Sequence, residues 1–265
     1  MRHDTLFFCK EDYRRQGMRN RTEANRQFNV NRGIDISVDK LWYLSQISIF
    51  EGMTKEEIRE IDQLDTIHHF NWIAKNTIVQ TPGSANEELF FVKEGKLRIY
   101  KLNDSGKQFT LGILTRGNIY GELQSFSFGT GMSYIETMES SLLCSMSESQ
   151  FERLMLSRPG LALKFLKAIS DQLKEREDQL EQLVLHDLKG RVVHLLSTLS
   201  AKFGVIRDGY AMIDLPLSHQ EIANMLGVTR EAVSGVMGEL AKEGVIKTSR
   251  LSVQMDVRML VRPIQ

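Results

Sequence analysis

Arg230, Glu231 and Ser234 lie within five residues of one another, and their side chains match the chemistry of nucleic-acid base edges. An arginine can donate twice to a guanine edge, a glutamate can accept from cytosine N4, and a serine can bond several bases. Ser218, His219, Gln220 and Thr229 complete the set of candidate DNA-contacting residues. An enzyme would need a nucleophile held beside a base, and the chain carries no such constellation. The expected function is therefore binding rather than catalysis.

Presenting those groups requires a helix, a tight turn and a second helix between Leu217 and Ile246. The Ser218 hydroxyl is placed to accept from the Glu221 backbone N–H while the Glu221 carboxylate reaches back, a capping box. Ile222, Met225 and Leu226 keep the inner face apolar. Gly227 allows the change of backbone sign that a sharp turn needs, and Thr229 caps a second helix with Val233, Val236, Met237 and Leu240 on its apolar side. A helix anchored on one face with polar N-terminal residues outward is what the major groove of B-DNA admits. An ordinary helical hairpin with a solvated face is the competing reading.

The 265 residues are enough for a full core and two domains, and the apolar (42%) and charged (26%) fractions are those of a soluble protein. The formal net charge is zero, so phosphate contacts would need a segregated basic surface. Two cysteines, Cys9 and Cys144, argue against a disulfide scaffold and are too few to ligate a cluster. No stretch has the apolar length of a membrane span, and Leu6 to Cys9 is too short for a signal-peptide core, so a cytoplasmic location is expected.

Residues 1–37 form a basic, polar extension with Arg14, Arg15, Arg19 and Arg21, either a solvated tail or an arm that touches DNA. Leu41, Leu44 and Ile47 then fall at helical spacing, and Thr54 to Leu64 reads as a short amphipathic helix. Beyond it the period drops to two: His69 and Phe70, Leu97 and Arg98, and Phe109 and Thr110 alternate, with Leu111 and Ile113 continuing on one face. Gly83, Gly95, Gly106, Gly117 and Gly121 punctuate this stretch at turn-like intervals. Many short strands with regular turns imply a jelly roll or small barrel, which can enclose a ligand. Within it, GNIYGELQSFSFGTGMS from Gly117 to Ser133 reads either as a backbone cradle for an anion, with Glu122 accepting from a ligand hydroxyl, or as a structural turn with a solvated carboxylate. His68 and His69 point to opposite faces of a strand, and His186 and His194 are more than one helical turn apart, so no metal site is expected from either pair.

After Pro159 a long helix carries Leu166, Leu173 and Leu180 seven apart, with Ile169, Arg176 and Leu183 offset by three. That heptad seam predicts a parallel two-stranded coiled coil and hence a dimer, and a helix packed on its own core is the alternative. Asp187 is placed to cap the next helix, from Leu188 to about Phe203, which makes His186 and Asp187 a hinge.

With barrel, seam helix and helix-turn-helix in that order, the chain from about Asp39 onward resembles the Crp/Fnr superfamily of bacterial transcription regulators. The resemblance is carried by GNIYGELQSF, HDLKGRVVHLL and LSHQEIANMLGVTREAVSGVM. It implies an α+β fold, with an N-terminal β jelly-roll sensor domain, a long coiled-coil dimerisation helix and a C-terminal winged helix-turn-helix. The expected boundaries are 38–156 for the sensor, 157–186 for the dimerisation helix and 187–265 for the DNA-binding domain. The dimer seam would be Leu166, Ile169, Leu173, Leu180 and Leu183.

The resemblance also implies a homodimer whose sensor binds a small signal and aligns two reading heads on palindromic double-stranded DNA, with RNA polymerase as a partner if the outcome is activation. Arg230 and Glu231 match the Arg-Glu pair of the cyclic-AMP receptor protein, and Ser234 the serine of the oxygen-responsive fumarate-nitrate regulator. Gly235 falls where both carry a second base-reading arginine. Gly121, Glu122, Leu123, Met132, Ser133 and Arg176 are the candidate effector-binding residues, Glu122 and Ser133 matching the ribose- and phosphate-binding positions of cyclic-AMP receptors. Met132 replaces the arginine that neutralises the cyclic phosphate, so tight cyclic-AMP binding is not expected. Neither the N-terminal cysteines of the iron–sulfur sensors nor the histidine of the haem sensors is matched, so no cofactor is expected. A constitutive, effector-independent regulator and a cyclic-nucleotide-binding signalling module are the alternatives.

Overall fold

The structure is a computed structural model that describes residues 68–84, 87–249 and 251–260, together with Phe50, Met53, Thr54 and Glu56. The N-terminal extension with Cys9, the Leu41–Ile47 spacing and most of the Thr54–Leu64 segment lie outside the described residues.

The period-two stretch forms β1 (His68–Ile73), β2 (Ile78–Gln80), β3 (Glu88–Glu94), β4 (Leu97–Leu102), β5 (Gln108–Leu114), β6 (Ile119–Glu122), β7 (Tyr134–Thr137) and β8 (Ser141–Ser147). They pair antiparallel into two four-stranded sheets, ordered β1-β8-β3-β6 and β2-β7-β4-β5. Strand pleating explains why β3 and β8 are apolar on both faces. Val92 and Leu143 point to the other sheet, into a core with Leu97, Ile99, Tyr120 and Ile135. Leu89, Phe91, Cys144 and Met146 point the opposite way, into a second core closed by helices.

Those helices are α1 (Glu148–Ser157) and α2 (Pro159–Leu185). The start of α2 buries Leu161 and Phe165 among Phe126, Phe128 and Phe151. The Phe126, Phe151 and Phe165 rings approach within 5.2 to 5.8 Å of one another, a geometry that favours aromatic contacts.

Ile169 differs from the other seam candidates of α2: it is half-buried against this phenylalanine core, because it shares a helix face with Phe165. One expectation needs correction here: the alternation through Leu111 and Ile113 is broken. Ile99 pairs with Gly112 and Tyr100 with Thr110, so the register shift leaves Leu111 as the extra residue of a bulge. Leu111 then packs on the sandwich core while Ile113 packs on the C-terminal core.

Along the rest of α2, Leu166, Leu173 and Leu180 are 59–62% exposed and Leu183 is 48% exposed. The helix stops at His186, whose backbone is extended, and Asp187 accepts from the Gly190 N–H at 2.8 Å to start α3 (Leu188–Phe203), as the sequence predicts.

The chain continues through β9 (Gly204–Arg207), β10 (Tyr210–Ile213), α4 (His219–Leu226), α5 (Arg230–Lys242), β11 (Ile246–Ser249) and β12 (Ser252–Asp256). These strands form a sheet ordered β11-β12-β10-β9. One core unites Val192 and Leu196 of α3, Ile222 of α4, Val233, Met237 and Leu240 of α5, and Val253 and Met255 of β12. This core fixes the orientation of α4 and α5.

Candidate nucleic-acid interface

Both caps read from the sequence are formed. Ser218 Oγ accepts from the Glu221 N–H at 3.1 Å, and Thr229 Oγ1 accepts from the Ala232 N–H at 3.2 Å. Each such cap stabilises its helix by about 1 kcal/mol. Gly227 sits between them at φ 69°, and a Cβ there would meet the Phe109 ring at 3.7 Å, so glycine serves the left-handed turn more than the spacing.

The second half of the capping box is different from the expectation. The Glu221 carboxylate accepts from Arg98 Nη1 at 2.7 and 3.0 Å instead of reaching back along its own helix. Arg98 is on β4, and its Nη2 also donates to Glu136 of β7 at 3.0 Å. A charge-assisted pair whose side chains are only 17% and 23% exposed outweighs a bond to one neutral backbone N–H. Burial lowers the Arg98 pKa, but Glu136 and Glu221 outweigh it and leave it raised.

This pair belongs to a junction that no local sequence signal announces. Lys96 bonds Asp214 at 2.9 Å, Lys107 Nζ donates to the Gly227 carbonyl at 3.2 Å, and Arg191 Nη2 donates to the Leu226 carbonyl at 2.5 Å. The last two cations satisfy carbonyls at the C-terminal end of α4. The turn of the helix-turn-helix is thus held from the sandwich and from α3 together.

The outward side of α4 and α5 carries the predicted polar groups. Gln220, Thr229, Arg230 and Glu231 are exposed, while Ser218, His219 and Ser234 are half-buried. A groove of about 430 Å³ separates the Ser218–Gln220 and Arg230 side from the hairpin of β11 and β12, where Thr248, Ser249 and Ser252 line the other wall. Those hairpin hydroxyls were not among the sequence candidates, although a polar, short-stranded segment after the second helix was the available signal. Ser234 is less outward than its helical position predicts. Its Oγ lies 2.9 Å from the Arg230 carbonyl oxygen and 2.8 Å from His219 Nδ1. Gly235 is exposed, and a Cβ there would meet nothing within 4 Å.

Of the effector candidates, Gly121, Glu122 and Ser133 gather around Thr130, while Leu123, Met132 and Arg176 point elsewhere. Gly121 has φ +118°, and a Cβ on it would meet the Glu88 carbonyl oxygen at 2.2 Å, so the close approach of β6 to β3 requires glycine. Glu122 Oε1 accepts from the Thr130 and Gly131 backbone N–H groups, both at 2.7 Å. The backbone cradle read from the glycines is therefore filled by the chain's own carboxylate. Leu123 is buried in the phenylalanine core, Met132 is 67% exposed, and Ser133 is buried with no hydrogen bond to its Oγ.

Arg176 lies elsewhere. It donates to the Leu111 carbonyl at 3.0 Å, using the oxygen displaced by the β5 bulge, and to Gln179 Oε1 at 3.2 Å. It lines a cleft of about 630 Å³ between β5, α2 and α3, whose walls include Phe128, Thr130, Leu199 and Lys202. Phe128 and Thr130 join this cleft to the Glu122 loop: the Thr130 backbone serves the carboxylate, and its side chain accepts from the Gly121 N–H at 3.0 Å.

Comparison with known proteins agrees with this division of the chain. Residues 70–158 match the cyclic nucleotide-binding domain model, and residues 190–261 match the Crp-like helix-turn-helix domain model. The anaerobic regulatory protein of Bacillus subtilis is 29% identical over 184 residues, covering 69% of this chain and 77% of that protein. A CRP-like cAMP-activated global transcriptional regulator of Mycobacterium tuberculosis is 25% identical, covering 79% of this chain and 92% of its own length. Among solved structures, a CooA variant from Carboxydothermus hydrogenoformans superposes with a TM-score of 0.63 at 27% identity, covering 75% of this chain and 88% of that one. A double β-sheet followed by a long helix and a helix-turn-helix, each half matched by its own model, has one consistent assignment: the chain belongs to the Crp/Fnr superfamily of transcription regulators.

Proposed function

We propose that the protein is a homodimeric, sequence-specific regulator that reads a palindromic operator through α5. The observation that carries this reading is the exposed first turn of α5, Arg230 and Glu231, set beside a groove of about 430 Å³ with a hydroxyl-bearing hairpin on its far wall. A helix N-terminus of this kind meets base edges while the flanking hydroxyls meet phosphates. Leu166, Leu173 and Leu180, each about 60% exposed on one chain, support pairing of two α2 helices as the means of placing two heads. Such a regulator works in the cytoplasm, and RNA polymerase is its partner where it activates. The domain limits 38–156, 157–186 and 187–265 follow from the same reading.

The signal is assigned to a ligand other than cyclic AMP, or to none. Met132 offers no positive charge, and the Glu122 carboxylate already holds the N–H groups that an incoming anion would use. The effector-independent alternative is favoured by that internal closure. Selection of duplexes from a random pool by the purified protein tests the reading. An enriched sequence with two-fold symmetry is expected, and enrichment of no sequence would overturn it. Repeating the selection after extensive dialysis separates ligand-dependent from constitutive binding.

A further inference from the structure

Ser234 is bonded to two groups at once, and the proton count of a hydroxyl limits how both contacts can form. The Arg230 carbonyl at 2.9 Å can only accept, so Ser234 must spend its single O–H there. His219 Nδ1 at 2.8 Å must then donate to Ser234 Oγ, because the opposite arrangement would leave two oxygen lone pairs facing each other. Either the Nδ1-protonated neutral ring or the imidazolium makes that bond.

We infer that His219 is a positioning residue for base specificity: by donating from α4 to Ser234 on α5, it fixes the serine as an acceptor, with one lone pair left for DNA. This rests on the proposed entry of α5 into the major groove. An acceptor-only serine selects a base that offers an amino group there, adenine N6 or cytosine N4, and disfavours guanine and thymine, whose O6, N7 and O4 atoms accept. The Glu231 carboxylate is also acceptor-only, whereas the Arg230 guanidinium can only donate. The half-site therefore presents one strongly accepting base to Arg230 and amino groups to Glu231 and Ser234.

Random-duplex selection with wild type, Ser234→Ala, His219→Phe and His219→Asn tests this. The position whose preference vanishes in Ser234→Ala is the one Ser234 reads. Wild type is expected to prefer adenine or cytosine there by roughly three- to tenfold, the discrimination of one neutral hydrogen bond. His219→Phe keeps a ring but no donor, so it should relax that position alone, because the serine can then turn its proton to an accepting base. His219→Asn restores a donor near the Nδ1 position and should recover the preference. An unchanged profile in His219→Phe, or a uniform loss at every position, would overturn the inference while leaving DNA reading intact. Absence of any enriched palindrome with wild type would instead remove the reading beneath it. As a test independent of DNA, long-range ¹⁵N–¹H NMR of histidine-labelled full-length protein, with His219→Asn for assignment, should find the His219 proton on Nδ1. A neutral ring protonated only at Nε2 would contradict the bond's polarity.

Discussion

The α4–α5 head and the Gly121–Ser133 loop begin from similar ingredients and end in opposite states. Each has a glycine at positive φ, hydroxyl side chains and a nearby carboxylate. In the head, the Glu221 carboxylate is drawn away by Arg98, and the exposed Arg230, Glu231 and Gln220 remain available to a partner. In the loop, the Glu122 carboxylate takes the Thr130 and Gly131 N–H groups for itself. The two carboxylates thus have different partners: a cation 123 residues away for Glu221, and, among the described residues, backbone N–H groups of its own loop for Glu122.

Four experiments break or sharpen this contrast. The largest effect is expected where two heads are made to act together. Leu173→Ala with Leu180→Ala should remove roughly 2–5 kcal/mol per leucine buried in the paired seam and shift the protein towards monomer. Sedimentation velocity would check it, and an unchanged dimer would defeat the seam.

Closure of the loop comes next. Glu122→Ala should strand the Thr130 and Gly131 N–H groups and cost about 2–3 kcal/mol of sensor stability, read by denaturant unfolding. A loss of only a few tenths would mean that solvent reaches those groups and the loop is open.

On the head, Arg230→Ala should cost about 1–3 kcal/mol of specific binding and relax one base pair in each half-site. Equal losses on specific and random duplexes would make it a phosphate contact instead.

The smallest signal is expected from cyclic AMP. Calorimetry should give binding no tighter than the high micromolar range, about −5 to −6 kcal/mol, and Met132→Arg should strengthen it if the loop can open. Submicromolar binding by the wild-type protein would overturn the assignment to a ligand other than cyclic AMP.

The sequence made the head more legible than the loop, and the reason is locality. Ser218, Gly227, Thr229 and the apolar positions of α5 act within one or two helical turns, so their spacing alone sets the helix-turn-helix. The Asp187 cap was readable for the same cause. What escaped was settled between distant elements. Arg98 takes Glu221 across 123 residues, Arg176 bonds a carbonyl displaced by a bulge 65 residues earlier, and His219 reaches Ser234 across the turn. Heptad spacing places Ile169 in the seam but could not show that it also packs against the phenylalanine core of its own chain. The loop glycines correctly marked turns but could not reveal that Glu122 folds back on them.

The most direct measurement compares one selected palindrome with a duplex carrying a single half-site and one with the half-sites moved apart by half a helical turn, using fluorescence anisotropy and stoichiometry. The account predicts two chains per intact palindrome and at least a hundredfold weaker binding to either altered duplex, on the order of the gain from linking two contacts. Equal affinity for all three duplexes, with one chain bound to each, would contradict it.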